Sequence, residues 1–216
     1  MLQLYNYWRS TSSHRARLML NVKGLDYRYV PVNIPAGEQH GDAYRRLSPN
    51  GFVPVLTDGE TVIRQTLSIM EYLDERFPDR PLVPCDQAGR LRVRGFVYSL
   101  TGDVQGRTQK RVRDYLETRF SRDILVEWFQ FWSAESVAIL ERLAVDDRPA
   151  GDFFHGAAPT AADCFLVAQL YNWRRREVDL TVAPTLLTIE QACLDRPEFQ
   201  AGAPENQPDM APDPRY

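Results

Sequence analysis

The sequence predicts a chain in two parts: an α/β N-terminal domain of βαβ–ββα order over residues 1–82, then an all-α C-terminal helical domain over residues 88–216. Three observations carry this. Short runs rich in aromatic and β-branched residues, the mark of strands, occur only in the first part. The pair Asp58-Gly59 joins two of these runs and signals a hairpin turn. The stretch "FPDRPLVPCD", Phe77 to Asp86, brings three prolines together. After it the apolar pattern is helical, and no segment reads as a strand.

The elements follow in order. Gln3 to Trp8 reads as a strand. Ser12 or Ser13 can cap a helix over "HRARLMLNVK" that ends at Gly24, with Leu18 and Val22, and Ala16 and Leu20, four apart on its apolar face. "YRYVPVNI" is a second strand with Val30, Val32 and Ile34 on one side. Gly37 to Leu47 has room for a short helix. "FVPVL" and "TVI" are the two hairpin strands, and "TLSIMEYLDERF" is helical from its three- and four-residue apolar steps. In the second part, Arg90 to about Arg119 reads as one helical stretch bent near Gly102 or Gly106. Ile124 to Leu143 is another. A third opens with Thr160-x-x-Asp163, a capping box with Asp in place of Glu. The proline-rich tail after Phe199 is expected to be poorly ordered.

Composition narrows the function. The chain has 216 residues, is 44% hydrophobic and 25% charged, and carries a net charge of -3. That is the profile of an ordinary soluble globule. It lacks the basic face expected of a nucleic-acid binder. No apolar run approaches the roughly 20 residues that span a bilayer, so no membrane role is expected. Cys85, Cys164 and Cys193 are too few and too widely spaced for a disulfide framework. With no secretory signal at the start, the cytoplasm is the default compartment. His14, His40 and His155 lack metal-ligand spacing and read as surface or partly buried residues, so no metal is expected. Cys164 lies in an apolar run and reads as packing.

The turn after the first strand is the unusual feature. Arg9, Ser10, Thr11, Ser12, Ser13, His14 and Arg15 crowd hydroxyls and cations where a helix begins. A βαβ–ββα domain with such a turn is thioredoxin-like. Redox members place C-x-x-C there, where the helix N-terminus lowers the thiol pKa. Here the donors and the positive helix end remain without a cysteine. A site built for a thiolate that it does not own suggests a thiol supplied from solution.

Over about residues 2 to 200 the sequence resembles the zeta class of glutathione transferases, which includes maleylacetoacetate and maleylpyruvate isomerases. "YWRSTSSHRARLMLNVKG" matches that family's opening, and "GFVPVL", "IRQTLSIMEYLDERFP" and "TAADCFLVAQ" match later blocks. One position departs: the family's usual cysteine is Ser12 here. The "SHR" of Ser13, His14 and Arg15 leans toward the maleylpyruvate enzymes.

The resemblance implies glutathione as cofactor and assigns residues to it. Ser12 would donate to the sulfur, with Ser13 beside it and Arg9 at the turn. Val53, ahead of a cis Pro54, would pair its backbone with glutathione. Gln65 and Thr66 would hold the γ-glutamyl carboxylate at a helix start. Gln39 and His40 would meet the other end. Arg9, Lys110, Arg111 and Arg175 would bind a small dicarboxylate substrate. Each has a plain structural reading as well: Ser12 as a helix cap, Pro54 as an edge-strand proline, Thr66 as a cap, the cations as a solvated face.

The implied reaction is glutathione-dependent cis–trans isomerisation of a maleyl keto acid, by a homodimer. Three other readings share the scaffold: a conjugating transferase or peroxidase, a non-enzymatic glutathione-binding protein, and a thiol-dependent dehalogenase. The arginines disfavour the first, the retained pocket residues the second, and Ser12 the third.

Overall fold

A computed structural model, which describes residues 1–146 and 148–211, contains a sheet of β1 (Leu2–Asn6), β2 (Tyr27–Pro31), β3 (Val55–Asp58) and β4 (Thr61–Arg64) in the order β2-β1-β3-β4. β1 and β2 are parallel. A parallel pair needs a crossover, which α1 (Thr11–Val22) supplies. β3 is antiparallel to both β1 and β4. The β3–β4 hairpin turns at Gly59, whose φ of 58° explains the glycine. A 3-10 turn (Glu38–His40) and α2 (Asp42–Leu47) link the two halves, and α3 (Thr66–Arg76) closes the second.

Leu2, Leu4 and Asn6 face inward on alternate positions of β1, as the strand period requires. Leu18, Met19 and Leu20 of α1 and Ile69, Met70 and Leu73 of α3 are fully buried. Full burial of such a side chain is worth about 1.5–3 kcal/mol, so the two helices anchor the sheet that carries the loops.

The chain divides into two units, Met1–Leu82 with the segment from Leu194 on, and Val83–Cys193. The last part of the chain thus groups with the first unit. α10 (Pro197–Gly202) packs on α1. Asn21 donates to Glu198 O at 3.0 Å, and Arg17 Nε donates to Gly202 O at 3.0 Å. The expectation of a poorly ordered tail after Phe199 is corrected through residue 211, because these bonds and those of Gln207 and Asp209 fix it. Residues 212–216 lie outside the described residues.

The second unit is helical. α4 (Gln87–Tyr98) runs into a π-helical turn (Ser99–Val104) that contains Gly102, then α5 (Gln105–Thr108) and α6 (Lys110–Arg119). The break before α6 falls at Gln109, which is extended at φ −63°, ψ 155°. α7 (Arg122–Val145), α8 (Ala161–Arg174) and α9 (Pro184–Leu194) complete it. The capping box at Thr160 and Asp163 is present. Asp163 accepts from Phe154 N–H and Thr160 N–H, each at 2.7 Å, and from Thr160 Oγ1 at 2.8 Å. Those three bonds compensate the burial that pushes its carboxyl pKa up. Cys164 is buried in α8, as packing requires. Among the described residues no helix is long and apolar enough to cross a membrane.

Candidate active site

Strand register gathers the predicted glutathione residues of the first unit. Tyr5 pairs with Val55, and Val55 pairs with Arg64. Asn6, the next residue of β1, pairs with Pro31 at the end of β2. The segments that follow β1, β2 and β4 and the one that precedes β3 therefore leave the sheet at the same end. They carry Arg9 and Ser12, Gln39 and His40, Gln65 and Thr66, and Val53 and Pro54.

The α1 turn is held by its own hydroxyls. Its N-cap is Ser10, not Ser12 or Ser13, and Ser10 Oγ accepts from Ser13 N–H at 3.3 Å. Ser13 is buried, and its Oγ accepts from Tyr7 N–H at 3.3 Å. Ser13 thus ties the strand end to the helix. Ser12, at the positive helix end, is only partly buried. Beneath this turn the structure corrects the surface reading of His14, which is 3% exposed. Burial, then Arg17, then Arg15, hold its imidazole well below its ordinary pKa, so it is neutral at pH 7. Arg15 and Arg17 are fully buried. Burial lowers Arg15 to about 9, which leaves it charged at neutral pH. Two buried cations and a helix N-terminus make this end of α1 favourable for an anion. Arg9, in the turn itself, lies with its guanidinium carbon 5.4 Å from the centre of the Trp8 ring.

The α3 start is built differently. Gln65, its N-cap, has φ 71° and makes no side-chain capping bond. A non-glycine residue there costs roughly 1–3 kcal/mol, and such residues cluster at ligand sites. Ile69 N–H closes the first helical bond onto Gln65 O. The amides of Thr66, Leu67 and Ser68 therefore have no intrahelical partner. The Val53-Pro54 peptide is cis. Val53 N–H and C=O make no hydrogen bond among the described residues. Gln39 Oε1 is buried without a hydrogen-bond partner. His40 Nδ1 lies 3.3 Å from Arg45 Nη2. Gly51 permits this 3-10 turn to sit close, because a Cβ there would stand 2.9 Å from Gln39 O. Unsatisfied amides, an open backbone edge and an orphan acceptor suit an extended peptide with a terminal carboxylate, and glutathione has both features.

The predicted substrate cations of the second unit differ in their commitments. Lys110 Nζ lies 2.7 Å from both Asp114 oxygens and is exposed. Arg111, next to it on α6, is also exposed. Arg174 is paired in bidentate fashion with the buried Glu190. Arg175 caps α8 and lies with its guanidinium carbon 5.9 Å from the Tyr171 ring centre. Of the adjacent pair Arg174 and Arg175, the former has a structural carboxylate. Sequence reasoning missed Ser10 as the cap, although Ser10 and Ser13 have the required spacing. It also missed Trp8, whose ring lies under Arg9, and Asp209, which accepts from the Trp8 amide; no local signal marks Asp209.

Residues 9–76 match the family described as "Glutathione S-transferase, N-terminal domain". The chain is 37% identical to the maleylpyruvate isomerase of Ralstonia sp, over 97% of this chain and all of the relative. It is similar to the holo structure of a maleyl pyruvate isomerase, described as a bacterial zeta-class glutathione S-transferase, with a TM-score of 0.92 and 36% identity over 97% of this chain and 100% of that one. The maleylacetoacetate isomerase of Anaeromyxobacter dehalogenans 2CP-1, solved with dicarboxyethyl glutathione and citrate in its active site, matches with a TM-score of 0.88 and 40% identity, over 100% of this chain and 96% of that one.

Proposed function

This chain belongs to the zeta class of glutathione transferases, and we propose that it isomerises a maleyl keto acid, maleylpyruvate or maleylacetoacetate, to the fumaryl form with glutathione as a recycled cofactor. The observation that carries this reading is the first turn of α1. Hydroxyls line a positive helix end there, and all three cysteines lie in the other unit. The relatives' activities, and the citrate bound with a glutathione conjugate in one of them, support a dicarboxylate substrate.

Held here, glutathione would supply a thiolate nucleophile able to add reversibly to the cis double bond and so permit rotation about it. The residues of the chain do the rest. Ser12 donates to the sulfur, and the α1 start favours its anionic form. The amides after Gln65 take the γ-glutamyl carboxylate, and Val53 pairs with the cysteinyl backbone as an added strand. Gln39 and His40 serve the far end. Arg9, Arg175, Arg111 and Lys110 provide positive charge for the substrate carboxylates and for the oxygen that gains charge during rotation. Residues 1–82 form the glutathione-binding domain and the helical part the substrate domain. The working protein is a cytoplasmic homodimer, for which exposed Leu91, Tyr98 and Phe131 offer apolar surface.

The test is turnover of each maleyl acid with sub-stoichiometric glutathione. Many turnovers per glutathione, with no loss of free thiol, are expected. Thiol consumed in step with product would overturn the reading in favour of conjugation.

A further inference from the structure

The carboxylate of Asp209 closes on the turn that carries Arg9. Its Oδ2 accepts the Trp8 backbone N–H at 3.1 Å, and its Oδ1 accepts the Tyr29 hydroxyl. Burial, and then this carboxylate, push the Tyr29 phenol upward, so it remains a proton donor at neutral pH. The carbonyl of Trp8 is held as well, by Arg17 Nη2 at 2.9 Å. Arg17 is in turn fixed by Gly202 O. Gly202 lies so close to α1 that a Cβ there would meet Leu18 Cδ2 at 2.6 Å. Both backbone polar groups of Trp8 are thus tied, directly or through Arg17, to residues 202–209. Trp8 is buried, 7% exposed as a residue, and the Arg9 guanidinium lies over its ring.

We propose that Asp209 is a positioning residue for the isomerisation. By holding the Trp8 peptide it fixes the ring on which Arg9 lies, and so the direction in which Arg9 presents its fork to a substrate carboxylate. The inference rests on the role given to Arg9 above. Asp209 forms no ion pair with a cation among the described residues, and its two partners are neutral donors, the Trp8 amide in the turn between β1 and α1 and the Tyr29 hydroxyl on β2. Its charge is therefore not what the contact needs. An asparagine can accept from Trp8 N–H with its oxygen and meet the Tyr29 hydroxyl with its amide.

The test is a double-mutant cycle on the full chain. Wild type, Asp209→Ala, Asp209→Asn, Arg9→Ala and the Asp209→Ala/Arg9→Ala pair are assayed with the preferred maleyl acid and with chlorodinitrobenzene conjugation. Asp209→Ala is expected to lose about tenfold in kcat/KM for the maleyl acid, because misplacement of a charged group is costly. The KM for glutathione and the conjugation rate should change less than about twofold, and Asp209→Asn should recover most of the loss. In the Arg9→Ala background, Asp209→Ala should have little further effect, since both changes remove the same contact. A full additive loss in that background, or equal losses in both reactions, would overturn the positioning role and leave the isomerase reading intact. No effect of Arg9→Ala alone would overturn the role given to Arg9 and the positioning role with it, while the isomerase reading stands or falls on its own thiol-balance test. If Asp209→Ala fails to fold, Asp209→Glu, which keeps the charge and displaces it, enters the same cycle under the same criteria.

Discussion

α1 and α3 begin at the same end of one sheet, and their first turns are finished in opposite ways. At α1 the chain satisfies itself: Ser10 caps Ser13, and Ser13 takes the Tyr7 amide. At α3 it does not: Gln65 sits at φ 71° and caps nothing. A self-capped start has fixed hydroxyls, which suits a site where a proton donor must meet one sulfur atom. An uncapped start keeps its amides for an anion from outside. On the proposed reading, the same helix physics serves chemistry at α1 and anchoring at α3.

The largest expected effect tests whether chemistry is confined to the α1 side. Arg9→Ala and Arg175→Ala should each lower kcat/KM for the maleyl acid by about 10- to 150-fold, the equivalent of a charge-assisted contact of roughly 1.5–3 kcal/mol. Glutathione affinity should hold, and conjugation of chlorodinitrobenzene should fall far less. Arg174→Ala should instead lower thermal stability, because it leaves the buried Glu190 without its partner. If Arg9→Ala weakens glutathione as much as turnover, the division between the two helix starts fails.

Next in size is the α3 side. Gln65→Gly should relieve the backbone strain and raise the melting temperature. It should also raise the KM for glutathione by roughly tenfold, with kcat at saturating glutathione little changed. A fall in kcat with an unchanged KM would show that α3 takes part in chemistry. Ser12→Ala should cost severalfold in rate at neutral pH, on the order of one lost hydrogen bond to an anion. That loss should shrink at high pH, where the thiolate forms unaided. A loss independent of pH would make Ser12 a structural residue of α1 and erase its contrast with α3.

The smallest effect concerns His14, whose folded pKa is depressed. When pH falls below about 6.5 the unfolded chain binds a proton that the folded chain refuses. Stability should therefore be constant for this group above about 6.5 and fall by about 1.4 kcal/mol per unit below it, down to the folded pKa. His14→Gln should remove that slope from acid-denaturation curves. A slope that persists unchanged would mean that His14 is protonated in the fold.

Pattern alone carries much of both units. The order of strands and helices, the Asp58-Gly59 hairpin and the Thr160–Asp163 box all rest on interactions within a few residues, which propensity and periodicity record. The Arg9–Ser13 motif, quoted from the sequence, was enough to suggest a borrowed thiol. The hydroxyl that caps α1 was misplaced, because three neighbouring serines fit the capping rule and only backbone geometry selects Ser10. His14 looks like any polar residue on a helix. Its burial depends on what packs against α1.

By itself, then, the sequence determined the elements, which are written in local spacing, and, through its resemblance to the zeta class, the family and the candidate residues. Tertiary structure decided the rest. Strand register brought Val53, Gln65 and Arg9 to one end of the sheet. Glu190 claimed Arg174 and left Arg175 over an aromatic ring. The stretch from Gln200 to residue 211 became part of the first unit, with Asp209 bonded to an amide 201 positions earlier. A proline-rich segment has no period of its own from which such a contact can be read. Its order comes from donors that only the folded first unit assembles.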